Sequence, residues 1–228
     1  MTQQDPGEHN TPIFRAGYPY IILALAGLIC MVSLVQFNAS PELEDWLFRS
    51  AAILAGPGFE TIARPFGDII PLIAHTALHG GGFHLTLNMV ALISMGPIIA
   101  LACGNTGRGR LLFMLFFSFC AVAGGLAETG LAYLTGQSQI VIGASSAISG
   151  FLPAIGFVRG GWRAAWSMSA GWILINIAIA LLGGFIGLPI AWAAHLGGLA
   201  AGFGFPVFLH FAAAPTDTDQ GQGRTYNP

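Results

Sequence analysis

Six stretches of about twenty predominantly apolar residues, at 17–37, 84–103, 111–135, 140–158, 165–187 and 189–211, leave the chain little choice of solvent. Crossing a hydrocarbon core of ~30 Å takes about 20 such residues in a helix. Only 8% of the 228 residues are charged, against about 25% in a typical soluble domain, so most of the chain must sit in lipid. There the backbone finds no water to bond, which forces each run into a helix. The runs are too long and too evenly apolar for barrel strands. The expected fold is therefore all-α, a polytopic bundle of six transmembrane helices over 17–212.

Residues 1–16 are polar with one arginine and are expected to form a cytoplasmic N-terminal segment. The first apolar run is longer than the core of a cleavable signal and lacks a small-residue cleavage site, so it reads as a retained span. Residues 213–228 are mostly Thr, Asp, Gln and Gly, with little to bury, and are expected to be disordered. The long connection at 38–83 carries Trp46, Leu47, Phe48, Ile53 and Leu54 among charges. It reads as interfacial, with short helices lying in the headgroups.

Arginines in short loops stay on the cytoplasmic side. Arg15, the Arg108 and Arg110 loop, the Arg159 and Arg163 loop, and Arg224 fall on one side of six spans. Both termini are therefore expected inside. The fourth and sixth spans then begin at the outer face, and each carries a polar residue about 5 positions, or ~8 Å at helical rise, within it: Ser145 and His195. The second span also runs inward, from His84, with Asn88 one turn deeper on the same face. Each of these has an ordinary explanation alone, because serine often bonds its own helix and His or Asn can join helices. Together at one depth they read as a site whose costly intramembrane polar groups partner one another.

Small residues offer a way for them to meet. Gly198 and Gly202 make a close-packing surface one turn below His195, and Gly143, Ser146, Ala147 and Gly150 offer another around Ser145. An imidazole within ~3 Å of the Ser145 hydroxyl is in reach to act as general base. No aspartate is available in the spans to orient it, so a two-residue arrangement is expected rather than a triad. His75, His79 and the Gly80, Gly81, Gly82 run fit an open polar rim through which water enters.

Gly143-Ala144-Ser145-Ser146 in the fourth span, Ala194-His195-Leu196-Gly197-Gly198 with Gly202 in the sixth, and His79-x4-His84-x3-Asn88 opening the second resemble the rhomboid family of intramembrane serine proteases. The likeness in motif, order and spacing covers about 66–208. It implies a serine endopeptidase with Ser145 as nucleophile, His195 as general base and acid, and His84, Asn88 and the Ser145 amide as oxyanion donors. It implies no cofactor and no metal ion. The partners implied are transmembrane protein substrates and membrane lipid, not nucleic acid; the oligomeric state stays open. Substrates are expected to enter laterally and to carry glycine, proline or small residues that unwind near the outer surface, with the fifth span and the turn at 183–189 as gate and cap. A short chain with no organelle presequence, and a charge bias typical of direct insertion, favour a bacterial plasma membrane, with the site toward the outer face.

The chain departs from the family pattern at three points. The Trp-Arg pair common in the first loop is Ile70-Pro71, the glycine often following the nucleophile is Ser146, and the aromatic often one turn after it is Ser149. By that resemblance His195 is expected to lack a stacking partner. Among rival readings, a Gly-x-Ser-x-Gly elbow fails because Ala147 takes the last position and no strand precedes it. A zinc site from His75, His79 and His84 lacks the HExxH pattern. A transporter would want midplane charges, yet Glu128, the one acid in the middle spans, is expected near the outer surface in solvent. A rhomboid-like protein that binds transmembrane helices without cutting them would share the fold. Cys30, Cys103 and Cys120 read as buried thiols.

Overall fold

The computed structural model describes residues 18–186 and 190–213. The expectations for the segment 1–16, the cap at 187–189 and the tail from 214 lie outside the described residues. Helix α1 (Tyr20–Phe37) follows Pro19 and buries a single stripe, Ile22, Leu25, Ala26, Ile29, Ser33 and Gln36. That three- and four-residue spacing is one helix face. It docks where Gly96, in the helix Gly82–Cys103, leaves no side chain, since a Cβ there would lie 2.9 Å from Ile22.

The connection at 38–83 is more ordered than a surface segment. Amphipathic α2 (Pro41–Ala51) is capped by Ser40, whose hydroxyl accepts from the Leu43 amide at 3.4 Å. Strand β1 (Ile53–Ala55) follows, then α3 (Pro71–Ala74) and a 3₁₀ turn at His75–Ala77. Further along come α4 (Gly82–Cys103), α5 (Gly107–Thr135), strand β2 (Gln139–Val141), α6 (Ser145–Ser149), α7 (Phe151–Ile186), α8 (Trp192–Gly202) and α9 (Phe205–Ala213). The strands β1 and β2 pair antiparallel, Ile53 opposite Val141, and so tie the long connection to the segment leading into α6. Strands of three residues are too short to show a period of two in sequence, and the expectation that no strand precedes Ser145 is corrected, because β2 ends four residues before it; the elbow still fails on Ala147.

Among the described residues, five helical stretches are long and apolar enough to cross a membrane: Tyr20–Phe37, Gly82–Cys103, Gly107–Thr135, Ser145–Leu182 and Trp192–Ala213. The chain is a helical integral membrane protein. Leu28, Leu115 and Leu174 are exposed on the outside of the bundle, where a hydrocarbon solvent suits them. The runs expected at 140–158 and 165–187 overlap one stretch, Ser145–Leu182; the first begins later than expected, since residues 140–141 belong to β2 and helix starts only at Ser145, and the backbone leaves the helix at Gly160 and Gly161, the latter with φ 66°. The chain doubles back there. A Cβ on Gly156 would lie 2.5 Å from the Ala165 Cα, a distance that nine residues of continuous helix, ~13 Å long, would forbid. We refer to 151–159 and 162–186 as the first and second arms of α7.

Helix α5 is the central post. Its phenylalanines 113, 116 and 117 are fully or almost fully buried with Phe151 and Phe205, and Phe116 meets Phe205 at a centroid distance of 4.7 Å. Toward the other end α5 trades aromatics for glycine. A Cβ on Gly124 would lie 2.5 Å from the Ala194 carbonyl oxygen, which is how α8 approaches closely enough to bring His195 inside the bundle. The three cysteines are free thiols.

Candidate active site

Ser145 is the first residue of α6, and a glycine at 143 makes that start possible. Gly143 has φ 108°, a region side chains disfavour, and a Cβ there would lie 2.7 Å from both Cε1 and Nε2 of His84. Its amide donates to the His75 carbonyl at 2.9 Å. His195 lies in the first turns of α8, 8% exposed. Its Nε2 is 2.8 Å from the Ser145 Oγ.

The small-residue surfaces bring them together. A Cβ on Gly198 would overlap the Ser146 carbonyl oxygen, and one on Gly202 would overlap the Gly150 backbone. Two helices thus meet backbone to backbone, the approach such spacing allows in lipid.

His195 has two further partners, both on the second arm of α7. Its Nδ1 is 2.9 Å from the Asn176 Oδ1. The Trp172 ring lies 5.3 Å from the imidazole, tilted by 37°. The expectation that His195 lacks an aromatic neighbour is therefore corrected. Ser149 is small enough to let the indole in, and its hydroxyl accepts the Trp172 Nε1–H at 2.9 Å while donating to the Ser145 carbonyl at 2.7 Å. The sequence carries a signal, an asparagine one turn after a tryptophan in an apolar run, but nothing in it shows that this run turns toward α8.

His84 accepts from the Gly80 amide through Nδ1 at 3.2 Å, which leaves the proton of a neutral ring on Nε2, the atom beside Gly143. Asn88 donates Nδ2 to the His84 carbonyl at 2.9 Å, and its second amide hydrogen stays free. Its Oδ1 is buried without a partner. Neither His84 nor Asn88 is hydrogen-bonded to Ser145 or His195 among the described residues.

Three expectations about the surroundings need correcting. His75 and His79 do not line an open rim, because both side chains are fully buried. Gln36 brackets the His79 backbone, donating to its carbonyl at 2.8 Å and accepting from its amide at 2.9 Å, while Ser33 Oγ sits 2.9 Å from His79 Nδ1. His75 donates Nδ1–H to the Pro71 carbonyl at 2.9 Å and accepts from the Ser146 hydroxyl at 3.1 Å. Both of its nitrogens are engaged in neutral hydrogen bonds, so Ser146 is a strut beneath the first turn of α6. Glu128 is not solvated; it is 1% exposed and accepts from the Ala194 amide at 2.9 Å. Distance along α5 fixes its depth but not its surroundings, and α8 covers it. The carboxylate takes the place of a capping side chain at the positive end of α8, whose N-cap residue is Ala191.

Burial pushes the His75 imidazole from 6.5 down to about 4. Between those values the unfolded chain binds the proton and the folded one does not. Folding stability contributed by neutral His75 is complete above about pH 6.5 and is lost as pH falls toward about 4, by up to roughly 3 kcal/mol. The thermal midpoint in detergent should fall across this window, and should fall less in His75→Gln. Parallel curves for the two proteins would contradict the buried neutral ring.

The Rhomboid domain family matches residues 67–211, more than half of the chain. The chain belongs to the rhomboid family. The matched region opens just before α3 and closes within α9, so it contains every residue of the Ser145, His195, His84 and Asn88 group and leaves out α1 and α2. No curated protein matches the chain. Rhomboid membership agrees with a helical membrane bundle whose polar residues gather inside.

Proposed function

We propose that this rhomboid-family protein is an intramembrane serine endopeptidase that hydrolyses peptide bonds in or next to transmembrane helices of other membrane proteins. The observation that carries the reading is the 2.8 Å approach of the Ser145 hydroxyl to His195 Nε2. A protein that only binds helices has no need to hold a serine and a histidine this way inside a membrane, where each polar group is expensive.

In the proposed reaction Ser145 Oγ attacks the scissile carbonyl as His195 Nε2 takes its proton. The carbonyl oxygen becomes an oxyanion, held by His84 Nε2–H, the free Asn88 amide hydrogen and the Ser145 backbone amide. Loss of one such donor typically lowers the rate about 10²- to 10³-fold. Collapse breaks the C–N bond, and the amine leaves with the proton that His195 carried. Water then attacks the acyl ester, giving its proton to His195, which returns it to Ser145 Oγ as the ester C–O bond breaks.

The reading includes six crossings, with the arms of α7 as separate spans turning at Gly160 and Gly161, beside Arg159 and Arg163. Both termini are then cytoplasmic and the site lies toward the outer face of a bacterial plasma membrane, following the arginine rule. A substrate helix hides its carbonyls in its own bonds, so substrates should carry glycine or proline near that face.

The test is purified protein in lipid vesicles with a transmembrane substrate bearing such a segment. Products mapping near the outer face are expected. Substrate that co-purifies intact would favour a rhomboid-like protein that binds helices without cutting.

A further inference from the structure

Asn176 is fully buried, and each end of its amide has a separate task. Nδ2 donates to the Trp172 carbonyl at 2.9 Å, one turn back in the same helix. A carbonyl can only accept, so this bond fixes which end of the amide is oxygen. Oδ1 must then face His195 Nδ1, 2.9 Å away, and an amide oxygen can only accept. The proton of neutral His195 is thereby held on Nδ1, and Nε2 turns a bare lone pair to the Ser145 hydroxyl. A chain of single-direction bonds, from the Trp172 carbonyl through the amide to the imidazole, sets the tautomer that a general base requires.

We propose that Asn176 is a positioning residue that completes a Ser145-His195-Asn176 relay, holding His195 in the tautomer and ring orientation that accept the serine proton. The inference rests on reading Ser145 and His195 as nucleophile and base. Its chemistry is that of the third member of a triad, whose loss by way of the wrong tautomer can lower turnover about 10⁴-fold. Asparagine suits lipid better than aspartate, because a neutral amide supplies the acceptor without a second, costly charge. Trp172 adds the second constraint, an indole against the imidazole face, itself anchored through Ser149.

The test compares full-length wild type, Asn176→Ala, Asn176→Asp and the near-isosteric Asn176→Leu in lipid vesicles, by cleavage kinetics and by ¹⁵N NMR of His195. Asn176→Ala and Asn176→Leu should lower kcat roughly 10- to 100-fold with KM nearly unchanged, since proton transfer and not binding is affected. Asn176→Asp keeps the acceptor and should recover most of kcat. The wild-type spectrum should show the proton on Nδ1, with a tautomer mixture in Asn176→Ala and Asn176→Leu. A wild-type ring protonated on Nε2, or kcat and spectrum unchanged in Asn176→Leu, would overturn the proposal. If no protein cleaves substrate, proteolysis fails as a reading, while the wild-type spectrum still decides the tautomer.

Discussion

Exchanging Gly198 for valine is expected to abolish measurable cleavage while leaving the protein inserted in the membrane. The new Cβ would overlap the Ser146 carbonyl oxygen and lie 3.3 Å from that of Cys120. Backbone atoms of two packed helices cannot turn aside as a flexible side chain can, so α8 must back away from α6. The Ser145 to His195 distance of 2.8 Å then opens past hydrogen-bond range. A displacement of about 1 Å is enough to lose roughly 10²-fold in rate. Gly130 is the control, since nothing lies within 4 Å of its Cβ position, and Gly130→Ala should cleave like wild type. Gly198→Val matching that control would mean that α6 and α8 need not touch for activity.

Removing either member of the pair should be as damaging as removing both. Ser145→Ala deletes the attacking oxygen. His195→Ala leaves a hydroxyl that lacks a base and is a weak nucleophile at neutral pH. Residues that act as one unit are not additive. We therefore expect each single variant to lose about 10⁴-fold or more, and the double variant to lose no more than the worse single. The measurement is product formation against purified substrate at fixed enzyme. If the double variant fell by the product of the two single losses, Ser145 and His195 would be acting separately.

How far sequence reaches into this protein depends on how local the determining physics is. Ser145 and His195 are legible because each is a polar residue flanked by small residues near the start of an apolar run, and Gly198 with Gly202 because small residues at that spacing have one main use in lipid. Asn176 is not legible in the sequence, because its role appears only when the second arm of α7 turns toward α8. Glu128 misled for a related reason. Its depth follows from counting along α5, but its burial depends on α8, whose first turns bring the Ala194 amide to it. His75 was assigned to an open rim by proximity to glycines, yet it packs inward between Pro71 and Ser146. The β1 and β2 pairing joins segments more than eighty residues apart through three-residue strands, which leave no periodic trace. The apolar runs at 140–158 and 165–187 are separable only through Gly160, Gly161 and the arginines beside them, because helix runs from Phe151 up to that break.

The departures from the family pattern also make physical sense as a set. Ser149 leaves the space in which an aromatic from another helix reaches His195, and it holds that aromatic through the indole N–H. Ser146, where a glycine is common, gives His75 a hydrogen-bond donor and ties the first turn of α6 to the 3₁₀ turn. A substitution that seems to weaken the site when read alone is matched elsewhere in the bundle.

The most direct measurement is to treat the membrane-embedded protein with a fluorophosphonate and map the modified residue by mass spectrometry. The account predicts one adduct, on Ser145, formed in the wild type and strongly slowed in His195→Ala. An adduct on Ser146 or Ser149, or labelling of Ser145 at an undiminished rate without His195, would contradict it.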